Sequence, residues 1–351
     1  MPRIEQLSTS IINKIAAGEV IERPASAVKE LIENAVDAGA TRVDITIEEG
    51  GSHLIRVVDN GHGIAADQME LAIASHATSK IRSADDLFSV RTLGFRGEAL
   101  ASISEVSQMT LRSRTAEEEV GNILEINGGQ RSELRPTGCP TGTLVEVRNL
   151  FFNTPVRRKY LKTVQTEMGH ITEAFTRIAL AYCAVHFSIK HNGRLIHDLP
   201  AVDNWKDRIA HFFGRDVAQG LIWVESKIDD VVISGYVANP TFFRSHTRMQ
   251  FLFLNGRHIR DRSLQHALGE SYRGLLIHGR YPIAFLKMDM PAEMVDVNVH
   301  PTKLEVRFQD SRRMYSQVLS TIRNKFLATD LTARVRDAEQ DNEQAVSTDL
   351  A

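Results

Sequence analysis

Residues Pro24 to Ile64 read PASAVKELIENAVDAGATRVDITIEEGGSHLIRVVDNGHGI, and this stretch decides the fold. On a 3.6-residue period, Asn34 and Asp37 fall within about 40° of Glu30, while Val28, Leu31, Ile32, Ala35 and Val36 take roughly the opposite face. The spacing predicts a helix with one polar stripe on a buried body. Pro24 suits its first turn and Gly39 suits a left-handed exit after Ala38. A carboxylate and a carboxamide one turn apart can activate water and coordinate a hard cation such as Mg²⁺. Taken alone, the same stripe also describes a solvated helix face.

Outward from the helix, RVDITIE (residues 42 to 48) alternates as a half-buried strand. LIRVVD follows after the Gly50-Gly51-Ser52 turn, so the pair reads as a hairpin. The second strand runs into Asp59-Asn60-Gly61-His62-Gly63. Glycines beside an acid let the backbone approach a flat ligand, and an ionised Asp59 can accept a hydrogen bond from an exocyclic amine such as that of adenine. A plain turn is the alternative. The motif's place, on the strand after a helix bearing Glu30 and Asn34, lets one bound nucleotide meet both.

A helical stretch is expected from Ile64 to Ile81, ending in HATSKI, and LGFRGEAL follows from Leu93. Glycines opening a helix make an anion site, because free N–H groups and the positive helix end point at the ligand. Thr78, Ser79, Lys80 and Arg96 add hydroxyl and cationic groups for phosphate oxygens. Gly94 and Gly97 could equally serve only to start a helix. Strands around 106–115, 122–128 and 142–151 make this half a mostly antiparallel sheet with helices on one face, an α+β sandwich. There is no G-x-x-x-x-G-K-[ST] and no strand-borne G-x-G-x-x-G, which argues against Walker-type and dinucleotide sites. Arg157, Arg158, Lys159 and Lys162 form a basic cluster before a helix near 166–181, either solvated surface or a contact for an acidic ligand.

At 351 residues the chain exceeds one ordinary domain. We expect a first domain over 1–204, a second α/β domain over 205–330 and the start of a flexible, acidic linker over 331–351, as of a chain that continues into a further domain. In the second domain, strands are expected at 221–237, 249–255, 282–289, 295–299 and 304–308, with a tight Asn255-Gly256 turn and helices from Ser263 and Ser311. Between Arg244 and Arg262 five arginines face one acid, Asp261, near Phe242, Phe243, Phe251 and Phe253. Such a cluster can neutralise DNA phosphates without reading sequence, or be a charged face balancing acids elsewhere. The net charge of −2 excludes a uniformly basic protein and leaves room for a local patch. Two cysteines, Cys139 and Cys183, are too few for a disulfide framework or zinc site. With no apolar leader at the N-terminus and no 18-residue apolar run, the expectation is a cytoplasmic protein without membrane partners.

Glu30-Leu31-x-x-Asn34-x-x-Asp37-Ala38, Asp59-Asn60-Gly61-x-Gly63, HATSKI, GFRGEAL and Gly142-Thr143 resemble, in order, the GHKL ATPase superfamily. GEVIERP, LGFRGEALASI, FNTPVRRKYL, LNGRHIRDR and VDVNVHPTKLEVRF further resemble the MutL family of DNA mismatch-repair proteins. The matching motifs span roughly residues 15 to 308. The resemblance implies a GHKL (Bergerat) sandwich followed by a smaller ribosomal-S5-like domain, with ATP and Mg²⁺ as ligands. Glu30 would be the general base and Asn34 the magnesium ligand. Asp59, Gly61, Gly63 and Thr143 would surround adenine. Thr78, Ser79, Lys80, Leu93, Gly94, Phe95, Arg96, Gly97, Glu98, Ala99 and Leu100 would line the phosphates. Lys303, otherwise an exposed lysine between strands, would reach the γ-phosphate. Arg257, Arg260 and Arg262 would face DNA, and ATP would drive self-association of N-terminal regions. The implied role is a slow ATPase switch between a mismatch-recognition protein of the MutS type and downstream repair enzymes. The ATPase subunit of a type II topoisomerase and an ATP-driven chaperone share the nucleotide fold and stand as alternatives.

Overall fold

The computed structural model describes residues 17–18, 20–80, 93–94, 97–277, 279–296 and 306–328. Phe95, Arg96, Lys303, parts of the strands expected at 295–299 and 304–308, and the 331–351 tail therefore lie outside the described residues. The chain divides into two compact units, Met1–Arg208 and Ile209–Ala351.

In the first unit, helix α1 (Pro24–Asp37) begins with proline in its first turn and ends as the sequence predicts. Gly39, at φ 71°, donates its N–H to the Val36 carbonyl in the left-handed exit. Val28, Leu31, Ile32 and Ala35 are buried. Each of the three larger side chains contributes about 1.5–3 kcal/mol on burial, and that fixes the rotation of the helix and hence the direction of its polar stripe. Strands β1 (Arg42–Glu48) and β2 (Leu54–Asp59) pair antiparallel from Val43 opposite Asp59 to Glu48 opposite Leu54. Their connection packs on the start of α1: a Cβ on Gly51, at φ 86°, would lie 2.7 Å from the Pro24 Cβ.

The sheet continues through β3 (Gln108–Arg114), β4 (Gly121–Asn127), β5 (Gln130–Arg131), β6 (Arg135–Thr137), β7 (Gly142–Arg148), β8 (His186–His191) and β9 (Arg194–Leu199). Its order is β5-β4-β3-β7-β2-β1-β8-β9, with β6 on β4, and β1–β8 is a parallel pair in an otherwise antiparallel sheet. Alternation along β1 buries Val43, Ile45 and Ile47 and leaves Arg42 and Asp44 on the polar face, where Arg42 pairs with Asp44 at 2.7 Å. Helices α1, α2 (Ala99–Glu105), α3 (Pro155–Tyr160) and α4 (Val164–Ala181) complete the unit, with α4 packed on α1. Phe175 of α4 meets Phe187 of β8 edge-on at 6.0 Å. This is the expected α+β sandwich. One expectation fails: within 64–80 the chain forms a 3-10 turn (Ala66–Gln68) and a four-residue helix (Met69–Ala72), not one long helix. His76, at φ 63°, is incompatible with a continuing helix.

Helix α5 (Trp205–Phe213) carries the unit boundary. The fully buried Arg208 guanidinium donates to the carbonyls of Cys183 (2.7 Å), Val185 (2.7 Å), Pro200 (3.0 Å) and Leu199 (3.3 Å), so the helix start belongs to the first unit.

The second unit is built on β10 (Leu221–Ile228), β11 (Val231–Ala238), β12 (Gln250–Leu254), β13 (Arg257–Ile259) and β14 (Ala284–Asp289), in the order β10-β11-β14-β12-β13. The β12–β14 pair is parallel. Asn255 and Gly256, at φ 48° and 80°, form the expected two-residue hairpin turn. Leu264 and Leu268 of α6 (Arg262–Ser271) and Val318 and Ile322 of α7 (Ser311–Ala328) share a core with Ile222, Val231 and Leu286. Phe251 and Phe285 stack at 5.4 Å beneath Phe213.

Candidate active site

The polar stripe of α1 meets two sets of partners. At its start, the Lys29 ammonium bridges Glu30 Oε1 at 2.8 Å and Glu33 Oε2 at 3.0 Å. Burial works against that ammonium, but the two carboxylates outweigh it and hold Lys29 charged well above its ordinary value. The expected base Glu30 therefore has a cation held against one carboxylate oxygen. Four residues after Glu30, one turn along the helix, Asn34 Oδ1 accepts from the Lys80 ammonium at 2.9 Å. At the helix end, Asp37 Oδ2 takes the same ammonium at 2.5 Å, and its two oxygens accept the N–H groups of Leu93 (3.0 Å) and Gly94 (3.2 Å).

Thr78 Oγ1 accepts from the Lys80 N–H at 3.2 Å and shapes the turn that presents the lysine, while Ser79 beside it is exposed. Gly97, at φ 63°, lies so close to Ala77 that a Cβ would sit 2.3 Å from the Ala77 carbonyl oxygen. Glu98 pairs with His76 at 3.3 Å. HATSK and GEAL are thus in contact, and Ala99 and Leu100 open α2.

A second cluster forms at the end of β2. Asp59 Oδ1 accepts the Gly61 N–H at 2.8 Å, and Asp59 sits opposite Thr143 of β7. Burial pushes the Asp59 carboxyl above the usual aspartate value, with the Gly61 and Thr143 N–H groups and His62 offsetting part of the rise. Both glycines are sterically required. A Cβ on Gly61 would lie 2.7 Å from the Ala38 carbonyl, and one on Gly63, at φ 75°, would lie 2.2 Å from that of Arg114. Ala38 follows Asp37, and its carbonyl accepts the His62 N–H at 3.0 Å, so the end of α1 joins the two clusters.

Sequence reasoning missed Ser113. Fully buried on β3, its hydroxyl accepts from the Ile64 N–H (2.8 Å), bonds the Gly142 carbonyl (2.9 Å) and lies 3.0 Å from Thr143 Oγ1. No motif carries this serine; only strand register brings it under the glycine turn. Lys29 and Glu33 were also missed, although their i,i+4 spacing around Glu30 is a readable signal.

The donor set bears on magnesium. Among the described residues no group of three or more His, Cys, Asp or Glu side chains could hold a metal ion. Magnesium in phosphate sites needs fewer protein ligands, one or two oxygens beside phosphates and waters. The Asn34 carboxamide oxygen already faces a cation, so it fits that use.

In the second unit, Arg257 lies on β13, Arg260 follows it, and Arg262 is the first residue of α6; the last two are exposed. Asp261, the single acid of the segment, caps α6 by accepting the Leu264 N–H at 2.8 Å. Phe251 and Phe253 are core residues.

Comparison with known proteins gives two family matches. Residues 21–138 match the histidine kinase-, DNA gyrase B- and HSP90-like ATPase family, and residues 209–327 match the C-terminal domain of DNA mismatch repair proteins. The chain is 49% identical over 327 residues to the DNA mismatch repair protein MutL of Xanthomonas oryzae pv. oryzae, covering 93% of this chain and 52% of that one. It is 48% identical over 325 residues to MutL of Pasteurella multocida, covering 92% and 53%. The chain thus spans about half the length of the curated relatives it matches. Among solved structures, the Aquifex aeolicus MutL ATPase domain complexed with ADP is similar at 31% identity and a TM-score of 0.61, covering 78% of this chain and 93% of that one. The N-terminal domain of a DNA repair protein is similar at 26% identity and a TM-score of 0.78, covering 91% and 99%. Among the described residues no helix is long and apolar enough to cross a membrane.

Proposed function

The chain belongs to the MutL family of DNA mismatch repair proteins, and from that premise we propose that it is a slow ATPase whose nucleotide state switches its contacts in repair. The observation that carries this reading is the junction at the end of α1. One helix supplies Glu30 and Asn34 on one side of Ala38, and Ala38 seats the glycine turn of Asp59 on the other. Adenine is recognised by Asp59 accepting from its amine, with Gly61 and Gly63 allowing the base to approach the backbone and Thr143 beside it. The phosphates lie toward Lys80 and the Leu93–Gly94 backbone, with Thr78, Ser79 and residues 97–100 near them.

Glu30 orients a water in line with the γ-phosphorus and takes its proton as the new P–O bond forms and the bond to ADP breaks, releasing inorganic phosphate. Asn34 would hold Mg²⁺, which neutralises phosphate charge when bound. Lys29 restrains the Glu30 carboxylate. Lys303, which lies outside the described residues, would add a cation at the γ-phosphate. Nucleotide binding promotes self-association of N-terminal regions. Arg257, Arg260 and Arg262 contact DNA phosphates without sequence preference. The partners are a mismatch-recognition protein of the MutS type and downstream repair enzymes, in the cytoplasm. The mismatch-repair match over 209–327 favours this reading over a topoisomerase subunit or a chaperone.

The test is an ATPase assay together with sizing of the protein with and without a non-hydrolysable ATP analogue. Magnesium-dependent turnover and an analogue-dependent rise in mass are expected. Glu30→Ala should retain ATP binding and lose turnover by at least about 10²-fold. Near-normal hydrolysis in that variant would remove the general-base role.

A further inference from the structure

We propose that Asp37 is the positioning residue for the phosphate side of the nucleotide site, fixing the Lys80 ammonium and the Leu93–Gly94 backbone toward one point; this rests on the nucleotide reading above. Asp37 is the member of the α1 stripe for which that reading has no use. Its side chain is only 9% exposed, yet it is not an idle surface acid. Oδ1 takes the Leu93 N–H at 3.0 Å, and Oδ2 takes the Gly94 N–H at 3.2 Å and the Lys80 ammonium at 2.5 Å. Two successive backbone N–H groups and an ammonium converge on one carboxylate, so Asp37 fixes both the course of the 93–94 backbone and the place of the ammonium, which still has donors to spare.

Three details make this positioning and not incidental pairing. An ammonium has three donors; Asp37 and Asn34 orient two of them, and when Asn34 turns to Mg²⁺ Asp37 remains the group that holds the lysine in place. Gly94 lies directly over the pair, since a Cβ there would be 3.1 Å from Lys80 Nζ and 3.9 Å from Asp37 Oδ2. Lys80 and Leu93–Gly94 come from separate stretches of chain, and α1, whose rotation is fixed by its buried face, supplies the carboxylate that gathers them. A short acid at the last position of a buried helix is a stiff anchor, with two side-chain torsions to restrain. Asp37 acts through the groups it holds and does not itself touch the phosphates.

The experiment compares ATP with adenosine, which shares the base but has no phosphate. In Asp37→Asn, calorimetry is expected to show ATP affinity reduced at least tenfold with adenosine affinity within twofold of the unaltered protein. In a cycle with Lys80→Met, the two losses should be strongly non-additive, because both break one unit. Unchanged or tighter ATP binding in Asp37→Asn overturns the proposal. Equal loss of ATP and adenosine also overturns it, since that marks a merely structural role. If Asp37→Asn does not fold, Asp37→Glu keeps the charge but displaces the three donors, and the same ATP-against-adenosine comparison decides. Failure of the underlying reading looks different: the unaltered protein would not bind ATP.

Discussion

Asp59→Asn should weaken nucleotide binding and stabilise the nucleotide-free fold, two effects of opposite sign from one atom change. In the native protein one carboxylate oxygen is held by the Gly61 N–H at 2.8 Å, and in the proposed complex the carboxylate accepts the adenine amine. A hydrogen bond to a charged group is worth about 1.5–3 kcal/mol, and a carboxamide turned to place its NH₂ against a donor leaves polar groups unpaired at a further cost of about 1–3 kcal/mol. Together these give about 2.5–6 kcal/mol, about a 10²- to 10⁴-fold loss in affinity. The stability effect follows from burial, which raises the Asp59 carboxyl above its unfolded value. A raised acid is a penalty on folding that is absent below the unfolded aspartate range and fully present once pH exceeds the folded value. Asparagine carries no such penalty. The variant should therefore melt higher than the unaltered protein at neutral pH, with the difference fading on acidification. Titration calorimetry with ADP and melting curves from pH 3 to 8 measure both. ADP affinity within threefold of normal, or a variant that melts lower at neutral pH and equal at acid pH, would refute the reasoning.

Lys29→Met releases Glu30 from its bridge; kcat should fall about 10²-fold with little change in ATP affinity, as expected for a misplaced base, and Lys29→Arg should recover most of it. Equal losses in both variants would count against a positioning role for the cation. Gly63→Ala forces a side chain at φ 75° into a space 2.2 Å from the Arg114 carbonyl. A destabilisation of at least about 1–3 kcal/mol should appear in denaturant unfolding, and a variant as stable as the original would contradict the geometry. Arg262→Glu places an acid in the first turn of α6, which the helix tolerates, so folding should survive. DNA affinity should drop about tenfold or more with a shallower salt dependence; unchanged binding across a salt series would remove Arg262 from the interface.

Much of the site was legible because its decisive helix obeys purely local rules. The apolar residues of α1 recur at helical spacing, proline and glycine mark its ends, and the polar stripe lands where the periodicity places it. The hairpin at Asn255-Gly256 was legible for the same reason, since two residues with positive φ demand that chemistry. What failed depended on distant contacts. The 64–80 stretch has helix-compatible residues, but His76 takes a left-handed turn that brings Ala77 against Gly97. Ser113 becomes a hub only through the register of β3 against β7. Phe251 and Phe253 read as neighbours of the arginine cluster until Phe213 covers one and the core takes the other. Asp37 was visible as a polar position, but its partners come from elsewhere in the chain.

The buried Arg208 has a consequence for dissecting the protein. Four carbonyls from the segments ending α4 and β9 have their hydrogen bonds satisfied by one side chain that lies beyond those segments in sequence. A fragment cut ahead of Trp205 would contain every described residue of the proposed nucleotide site in the first unit and still leave those four acceptors without their donor. Lysine could not replace it, having one nitrogen where a planar fork spans several carbonyls. The smallest autonomous nucleotide-binding piece should therefore include the opening turns of α5, and a separately prepared second unit begins best after them.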